Sequence, residues 1–404
     1  MRCGLLGRKL GHSYSPQIHA LLDNYSYDLY EQEPDTLKQF FTNTDLNGLN
    51  VTIPYKKDVI PFCSKLSPIA QKLGSVNTII KNQDGTFTGH NTDYYGFMSM
   101  LNRTGLDVAN KKVLVLGSGG ASVTVIAVLQ QLKANVIQVS RSGKNNYTNL
   151  HLHNDTSVIV NATPVGMYPE NGVSPVRISD FPKLEGVLDL IYNPARTQLL
   201  MDAEQHGLKW ENGLWMLIAQ AKESAEWFGN KQINDDKIQQ IYDKLTMQMQ
   251  NIVLIGMPGC GKSTIGKLIA EKTGRTFIDA DQALAETAGK SIPEIFKAHG
   301  EPGFRKLESE VLRQLGKRSG CVIATGGGCV TKAENYASLH QNGKIIWIQR
   351  QLTQLPTEGR PLSQQNDINT MYQTRRPLYE AFSDVTVSND DLPEIVADRI
   401  LKLL

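Results

Sequence analysis

The chain has 404 residues, enough for two or three domains that each bury a core. Apolar residues make up 40% of the sequence, and a net charge of +2 gives no electrostatic reason to expect nucleic acid or a membrane as a partner. Five scattered cysteines argue against a disulfide framework or a zinc site, and no run approaches transmembrane length, so we expect a cytoplasmic α/β enzyme of several domains.

The N-terminal segment predicts a short strand, residues 2 to 6, that runs into a helix with hydroxyl groups at its start. Pro16 suits the first turn of that helix, and Ser13 and Ser15 lie just before it. Two hydroxyls beside a helix N-terminus can bind a small carboxylate. Taken alone, the segment is explained more simply by helix-capping serines.

Polar side chains follow the next predicted strands. The run GLNVTIP, residues 48–54, is typical of a strand that delivers Lys56 to a loop, and SVNTII, residues 75–80, forms a second strand that contains Asn77. Asp93 stands in a polar turn that leads into a helix. Such loop positions are commonly only solvated, but strand ends are where open α/β sheets carry their sites.

A glycine-rich turn, GSGGAS at residues 117–122, lies between a buried strand and an apolar helix. Glycines there permit the close approach of a pyrophosphate to the helix N-terminus, as in dinucleotide-binding folds. The next strand, residues 135–139, is followed by Arg141, where an acidic residue would bind a free ribose 2′-hydroxyl. An arginine suits a 2′-phosphate instead, which favours NADP over NAD; the simpler alternative is a surface charge.

Two further strands and two helices complete this part of the chain. The strands are predicted at 157–161 and 187–190, and a helix with an apolar stripe opens near residue 212. A final helix, residues 235–247, leads almost directly to the next strand. Because the linker is so short, we expect the two parts of the chain to touch.

Eight motifs occur in order along residues 1 to 246: SxSPxxH, NVTIPYK, GSVNT, GxNTDxxG, GxGGAS, NATPxGM, DxxYNPxxTxLL and NGLxMLxxQA. This ordered set resembles the shikimate dehydrogenases. The resemblance implies a substrate-binding domain of residues 1–96 plus 214–247 and a Rossmann NADP-binding domain of residues 97–213. Three departures are Ala20 in place of a usual asparagine, Ser-Arg-Ser at 140–142, and a segment at 143–156 too short for a full crossover helix.

The same resemblance implies roles for individual residues. Lys56 and Asp93 would form the catalytic pair. The substrate would contact Ser13, Ser15, Thr52, Asn77, Asn91, Tyr192 and Gln220. The cofactor would contact Gly117, Ser118, Gly119, Gly120, Ala121, Ser140, Arg141 and Met216. The chemistry fits, since hydride addition to a carbonyl leaves an alkoxide that a lysine ammonium can stabilise and protonate.

The run GMPGCGKS, residues 256–263, is a full match to the P-loop motif between a predicted strand, 252–255, and a predicted helix, 264–272. Its glycines turn backbone N–H groups onto phosphate oxygens. Lys262 can reach the β- and γ-phosphates, and the Ser263 hydroxyl can hold Mg²⁺. Because motif and context agree, we interpret the run as a nucleoside triphosphate site rather than a chance glycine-rich turn.

Charged residues recur after the P-loop. Asp279 and Asp281 are predicted on one face of a strand end, where they could serve metal and substrate; helix capping is the alternative. Gly300 is predicted to start another helix, on which Arg305 and Glu308 lie one turn apart; an ordinary ion pair would also explain these two residues. Three glycines at 326–328 follow another strand, and a polar span at 351–365 is predicted to be a lid.

The motifs GxxGxGKS, GExxFRxxE, TGGG, RPL and RxPLY make residues 251–404 resemble the shikimate kinases, P-loop kinases with a parallel sheet. The resemblance implies a shikimate site of Asp281, Arg305, Glu308, Gly327, Gly328 and Arg375, with Asp281 and Lys262 catalytic. ATP would contact Gly256, Gly259, Cys260, Gly261, Lys262, Ser263, Thr264 and, from the short lid, Arg360, while Ser263 and Asp279 would hold Mg²⁺.

Both resemblances together predict a bifunctional enzyme of the shikimate pathway, in the biosynthesis of chorismate and the aromatic amino acids. The first part would reduce 3-dehydroshikimate with NADPH, and the second would phosphorylate the shikimate formed. One alternative is an oxidative quinate/shikimate dehydrogenase joined to another small-molecule kinase. A metabolite-binding regulator without activity is the other; the presence of Lys56, Asp93, Lys262, Asp281 and Arg305 argues against it.

Overall fold

The structure, a computed structural model, describes residues 1–11, 13–355 and 367–404. These residues form two compact units. The first unit comprises Met1–Val165, Ser174–Tyr192 and Asp202–Lys244, and the second comprises Gly166–Val173, Asn193–Met201 and Leu245–Leu404. In the part of the chain that is described, no helix combines the length and the apolar character needed to cross a membrane.

A mixed sheet of six strands forms one half of the first unit. Its order is β2-β1-β3-β5-β6-β4, with β1 parallel to β2 and β3, and with β5 antiparallel to β3 and β6. The strands are β1 (Arg2–Gly7), β2 (Ser26–Glu31), β3 (Gly48–Val51), β4 (Lys65–Leu66), β5 (Thr78–Lys81) and β6 (Phe87–His90). The helices of this stretch are α1 (Ser15–Leu22), α2 (Leu37–Asn43), α3 (Pro68–Leu73) and α4 (Asp93–Thr104).

A parallel sheet of five strands forms the other half, in the order β11-β10-β9-β7-β8. Its central strands are continuous apolar runs buried on both faces, as parallel sheets require. The strands are β7 (Lys112–Leu116), β8 (Asn135–Val139), β9 (Val158–Asn161), β10 (Gly186–Asp189) and β11 (Lys209–Glu211). The helices of this stretch of the chain are α5 (Gly120–Gln131), α6 (Gln198–Gln205), α7 (Leu214–Gly229) and α8 (Asp236–Met249). The start of α6 and the end of α8 are counted with the second unit.

The segment between β8 and β9 confirms one predicted departure. It contains only a short 3₁₀ helix, Leu150–His153, in place of a full crossover helix. Helix α7 leaves the parallel sheet and packs against α4 and α1. Its side chains therefore reach the six-stranded sheet, although they come more than 100 residues later in the sequence.

The second unit is built on a parallel sheet in the order β13-β14-β12-β15-β16, with the strand before the P-loop at its centre. The strands are β12 (Asn251–Ile255), β13 (Thr276–Asp279), β14 (Cys321–Ala324), β15 (Gly343–Gln349) and β16 (Val385–Ser388). The helices are α9 (Lys262–Thr273), α10 (Ala280–Ala288), α11 (Ile292–Gly316), α12 (Glu334–His340), α13 (Ile368–Phe382) and α14 (Pro393–Leu401). The α/β class and the parallel kinase sheet are confirmed.

One local prediction in this unit was wrong, and another was confirmed. Strand β13 ends at Asp279, whose carboxylate accepts hydrogen bonds from the backbone N–H groups of Asp281 and Gln282 and so caps α10. Asp281 therefore lies in the first turn of a helix and not on the strand. The helix predicted to start at Gly300 is the second segment of α11. A capping box starts the first segment at Ile292, and Gly300, at φ 63°, separates the two segments.

Candidate active sites

The first unit contains a cavity of about 420 Å³ between the ends of its two sheets. Ten predicted residues line it: Ser13, Ser15, Thr52, Lys56, Asn77, Asp93, Ala121, Tyr192, Met216 and Gln220. These residues come from both sheets and from α7, so the fold brings together positions that are far apart in sequence. The predicted residues Gly117, Ser118, Gly119, Gly120, Ser140 and Arg141 lie outside the lining of this cavity.

An ion pair stands in the cavity. The Lys56 ammonium lies 2.5 Å from the Asp93 carboxylate, and their side chains are 22% and 13% exposed. Asp93 is the first residue of α4, where the positive end of the helix dipole favours a carboxylate. The carboxylate therefore holds the ammonium at one place in the cavity, where it can donate a proton to a bound ligand.

Helix α1 begins beside the same cavity. Its N-cap residue is Tyr14, and no side chain forms a capping hydrogen bond there. Ser13 and Ser15 are thus not the helix-capping serines of the simpler interpretation, although the Ser13 hydroxyl accepts a hydrogen bond from the Ser15 backbone N–H. Both serines line the cavity, in a position that suits a ligand carboxylate.

A buried polar network stands behind the cavity. The Asn77 amide exchanges hydrogen bonds with the backbone N–H of Thr92 (2.7 Å) and with its hydroxyl (3.0 Å). Asn50 donates to the Ser224 hydroxyl at 2.8 Å, and Ser224 donates to the backbone carbonyl of Gln220 at 2.9 Å. The network orients Asn77 and the α7 turn that carries Gln220. Sequence reasoning missed Asn50, although its position in the NVT motif was a usable signal.

Asn91 does not reach the cavity. It is buried, and its amide donates to the Ser75 carbonyl at 3.0 Å and accepts from the Tyr94 backbone N–H at 3.3 Å. These bonds stabilise the turn into α4. The substrate-binding role implied by resemblance stays a prediction for this residue.

The glycine-rich turn before α5 has the geometry of a dinucleotide site. Gly117 adopts φ 114°, and a Cβ atom there would lie 2.9 Å from the Ala162 carbonyl oxygen, so a side chain is excluded. No heavy atom lies within 4 Å of the Cβ positions of Gly119 and Gly120, which leaves the helix N-terminus open. Arg141 is exposed directly after β8, where the 2′ substituent of a bound dinucleotide is recognised.

The second unit contains a cavity of about 560 Å³ above the P-loop. Twelve predicted residues line it: Gly259, Gly261, Lys262, Ser263, Thr264, Asp279, Asp281, Arg305, Glu308, Gly327, Gly328 and Arg375. Thr325 and Arg350 also line it and were not predicted. Gly256 and Cys260 belong to the loop without lining the cavity, and Arg360 lies outside the described residues.

The P-loop side chains are held in a position to meet phosphates. The Lys262 ammonium donates to the carbonyl oxygens of Gly256 (2.8 Å) and Met257 (3.0 Å). These two hydrogen bonds hold the lysine side chain against the P-loop. The Ser263 hydroxyl donates to the Asp279 carboxylate at 2.7 Å. A hydroxyl and a carboxylate oxygen side by side fit Mg²⁺, which prefers oxygen ligands and is commonly shared with phosphates.

Arg305 and Glu308 form a buried ion pair of 2.7 Å, with side chains only 5% and 2% exposed. Glu301 also contacts the guanidinium at 3.1 Å. Burial raises the pKa of the Glu308 carboxyl, against the opposite effect of Arg305. A Cβ atom on Gly328 would lie 2.1 Å from the guanidinium, so only glycine lets the arginine occupy this place.

Side chains of α13 hold the middle residue of the glycine segment 326–328. Arg375 donates to the Gly327 carbonyl at 3.3 Å, and the Tyr379 hydroxyl donates to the same oxygen. Asp281 faces the cavity near Asp279, and partial desolvation by the cavity walls together with that neighbouring charge raises the pKa of its carboxyl. The site therefore combines the guanidinium groups of Arg305, Arg350 and Arg375 with a carboxylate suited to accept a proton.

Both parts of the chain match known families. A family model for the shikimate dehydrogenase substrate binding domain matches residues 5–79, and one for shikimate kinase matches residues 258–404. A shikimate dehydrogenase (NADP(+)) of Clostridium perfringens (strain SM101 / Type A) is 35% identical over 266 residues, 60% of this chain and 97% of the relative. A shikimate kinase of Synechococcus sp. (strain CC9605) is 43% identical over 171 residues, 40% of this chain and 85% of the relative.

A solved structure agrees with the first of these matches. A chorismate mutase/shikimate 5-dehydrogenase fusion protein from Clostridium acetobutylicum has a TM-score of 0.57 and 36% identity, covering 60% of this chain and 96% of that one. Fold and sites thus define a Rossmann-type dehydrogenase joined to a P-loop kinase. The chain belongs to the shikimate dehydrogenase family over its first part and to the shikimate kinase family over its second part, and it is an enzyme of both kinds.

A carboxyl group that no motif predicted lies near the first site. Glu223 is on α7, and within the described chain its Oε2 atom is buried without a hydrogen-bond partner. Burial raises the pKa of this carboxyl to about 7; Glu226 and Asp93 act in the same direction and Lys222 in the opposite one. Because the folded-state pKa is raised, the folded protein binds this proton more tightly than the unfolded chain does. The stability that the folded protein gains from this proton is complete below the ordinary glutamate pKa of about 4.3 and is lost as the pH rises through 7.

Replacing Glu223 with an uncharged isostere removes this pH dependence. Glu223→Gln should raise the free energy of unfolding at pH 8 by on the order of 1–3 kcal/mol and change it little at pH 5. Thermal unfolding of wild type and variant at both pH values measures the difference. The control is Asp58→Asn, which alters an exposed carboxylate. A gain at pH 8 no larger than at pH 5 would contradict the burial account.

Proposed function

We propose that the first unit reduces 3-dehydroshikimate to shikimate with NADPH and that the second phosphorylates shikimate to shikimate 3-phosphate with ATP. The observation that carries the proposal is that each cavity holds a cation fixed by a carboxylate: Lys56 with Asp93, and Arg305 with Glu308. We also propose three domains, which comprise residues 1–96 plus 214–247, residues 97–213 and residues 251–404. We further propose that the two parts of the chain contact each other.

In the reduction, the chain's own residues position the substrate and supply a proton. Ser13 and Ser15, beside the N-terminus of α1, would bind the substrate carboxylate, while Thr52, Asn77 and Gln220 would bind its hydroxyls. The bound NADPH supplies hydride to the C3 carbonyl. The Lys56 ammonium, held by Asp93, then stabilises the oxygen and transfers a proton to it.

The cofactor would lie across the glycine-rich turn. Its pyrophosphate would meet the open backbone at Gly119 and Gly120, at the start of α5. Arg141 would pair with the 2′-phosphate, since a guanidinium binds phosphate bidentately. The Clostridium perfringens relative is named for NADP, which supports this choice of cofactor.

In the phosphorylation, Arg305 would bind the shikimate carboxylate, and Arg375 would add a second positive charge. Asp281 would orient the 3-hydroxyl and accept its proton, a role that its raised pKa suits. Lys262 would contact the phosphate that is transferred. Mg²⁺, held by Ser263 and Asp279, would neutralise phosphate charge.

A coupled assay tests the sequence of reactions. Starting from 3-dehydroshikimate, NADPH and ATP, the purified protein should oxidise NADPH and then release ADP, with shikimate 3-phosphate as the product by mass. ADP release should require NADPH unless shikimate is added. ADP release without NADPH or added shikimate, or NADPH oxidation without ADP release, would contradict the proposal.

Removing the ammonium should separate the two activities. Lys56→Ala removes the proton donor and the charge at the alkoxide, so kcat of reduction should fall by about 10²–10⁴, while phosphorylation of added shikimate is unchanged. The neighbouring exposed residue provides the control, Lys57→Ala, which should keep both activities. A Lys56→Ala protein with near wild-type reduction would exclude Lys56 as the acid.

Cofactor choice should depend on Arg141. Wild-type protein should prefer NADPH to NADH in kcat/KM, and Arg141→Ala should reduce this preference by about tenfold or more, because one charge-assisted contact to phosphate is lost. Lys144→Ala, which removes another exposed cation of the same loop, should leave the preference unchanged. Equal efficiency with both cofactors in wild type would rule out the role.

Arg305→Ala should cost about 2–4 kcal/mol in kcat/KM for shikimate, much of it in KM, because a buried bidentate contact to the carboxylate is lost. Affinity for ADP should hardly change. Helix α11 also offers a matched control, Arg313→Ala, which removes an exposed arginine paired three residues apart with Glu310. That pair should be worth only about 0.2–0.5 kcal/mol in stability and nothing in catalysis. Unaltered shikimate kinetics in Arg305→Ala would make Arg305 structural.

A further inference from the structure

We propose that Arg350 binds the phosphate chain of the nucleotide in the second unit, an inference that rests on the proposed kinase function. No motif in the sequence singled out this residue. It lines the same cavity as the P-loop, together with Lys262 and Ser263. Its place at the end of β15, the hydrogen bonds that attach this strand end to the P-loop and the charges around it all support binding of phosphate.

Arg350 follows directly on β15, the neighbour of the P-loop strand β12 in the sheet. The carbonyl oxygen of Ile348 lies only 2.4 Å from the place that a Cβ atom of Gly256 would occupy. The end of β15 therefore packs directly against the first glycine of the P-loop. Because Arg350 comes two residues later, its side chain starts beside the loop that receives the phosphates.

A buried asparagine attaches this strand end to the P-loop. The backbone N–H of Asn389 donates to the Gln349 carbonyl at 2.7 Å, and its side-chain amide donates to the Cys260 carbonyl at 2.7 Å. Asn389 is 7% exposed, so water competes little for these bonds. Asn389 thus links the backbone of Gln349 to the loop, so the backbone of Arg350, the next residue, lies beside it.

The other cations of the cavity already have partners. Lys262 donates to two carbonyl oxygens of the P-loop, and Arg305 is neutralised by Glu308 and Glu301. Arg375, the third, donates to the Gly327 carbonyl oxygen. Within the described chain, Arg350 pairs with no carboxylate, and its guanidinium makes one hydrogen bond, from Nε to the Gln354 side chain at 3.3 Å. Its remaining N–H groups can meet an anion.

The charge of the cavity favours such a cation, because Lys262, Arg305 and Arg375 only balance its three carboxylates before a nucleotide binds. Asp279, Asp281 and Glu308 give its lining three carboxylates, and a nucleoside triphosphate adds further negative charge. Like charges in a partly enclosed site repel more strongly than in water. A guanidinium at the end of β15 can bind phosphate oxygens bidentately and reduce this repulsion.

The test compares Arg350→Ala and Arg350→Lys with Arg376→Ala, which removes an exposed arginine that is paired with Glu380. Steady-state kinetics give kcat and KM for ATP and for shikimate, and inhibition against ATP gives constants for ADP, AMP and adenosine. In Arg350→Ala, KM for ATP and the inhibition constant of ADP should rise about 10- to 100-fold, since a charge-assisted contact is lost. AMP should lose less and adenosine nothing.

Arg350→Lys should recover part of the affinity for ADP, because it keeps the charge without the bidentate geometry. KM for shikimate should stay within about twofold, and Arg376→Ala should match wild type. Unchanged constants for ATP and ADP in Arg350→Ala would overturn the inference, as would an equal loss for ADP and adenosine or a rise confined to KM for shikimate. A wild-type protein that binds ADP without phosphorylating shikimate would contradict the proposed kinase function instead, and the ADP comparison would still test Arg350.

Discussion

A charge that is removed from water needs a partner, and both sites of this protein are organised around that constraint. Removing one member of a buried ion pair leaves an uncompensated charge, which commonly costs about 3–5 kcal/mol. In the first unit, Asp93 at the start of α4 holds the Lys56 ammonium inside the cavity. In the second unit, Glu308 does the same for Arg305. The carboxylates determine where the cations stand, and the cations determine what the cavities bind.

The two ion pairs differ in how deeply their cations are buried, and this difference agrees with the roles proposed for Lys56 and Arg305. The Lys56 side chain is 22% exposed, so it can exchange a proton with a ligand and with solvent. The Arg305 side chain is 5% exposed and held from two sides, by Glu308 and Glu301, which suits a group that binds without titrating. The absence of a side chain at Gly328 makes room for that guanidinium. A side chain at position 328 would therefore displace the guanidinium from its place beside Glu308.

Much of the fold was predictable because it depends on local patterns. Apolar runs predicted the parallel strands, and the glycine-rich turn and the P-loop identified the strands that begin each nucleotide site. Capping was harder to predict: the spacing of Asp279 and Asp281 suggested one strand face, but the first residue caps α10 and places the second on a helix. The choice between strand and cap depends on where the chain turns, which the spacing of two aspartates does not determine.

Tertiary contacts account for the rest. Asn91, which the resemblance places at the substrate, is held by hydrogen bonds to the Ser75 carbonyl and to the Tyr94 backbone N–H. Arg350 belongs to the second cavity only because β15 lies next to β12, and nothing in the residues around it marks a site. Glu223 is unusual only because α7 buries it. Such features follow from strand order and helix packing, which a single sequence shows only indirectly.

A double-mutant cycle on the first ion pair tests the central claim most directly, that the carboxylate acts by holding the cation in place. The measurement is kcat of reduction for wild type, Lys56→Ala, Asp93→Asn and the double variant. If Asp93 acts through Lys56, the double variant should be no slower than Lys56→Ala, so that the two effects are strongly non-additive. Losses that add in free energy would show that Asp93 acts independently and would contradict the account.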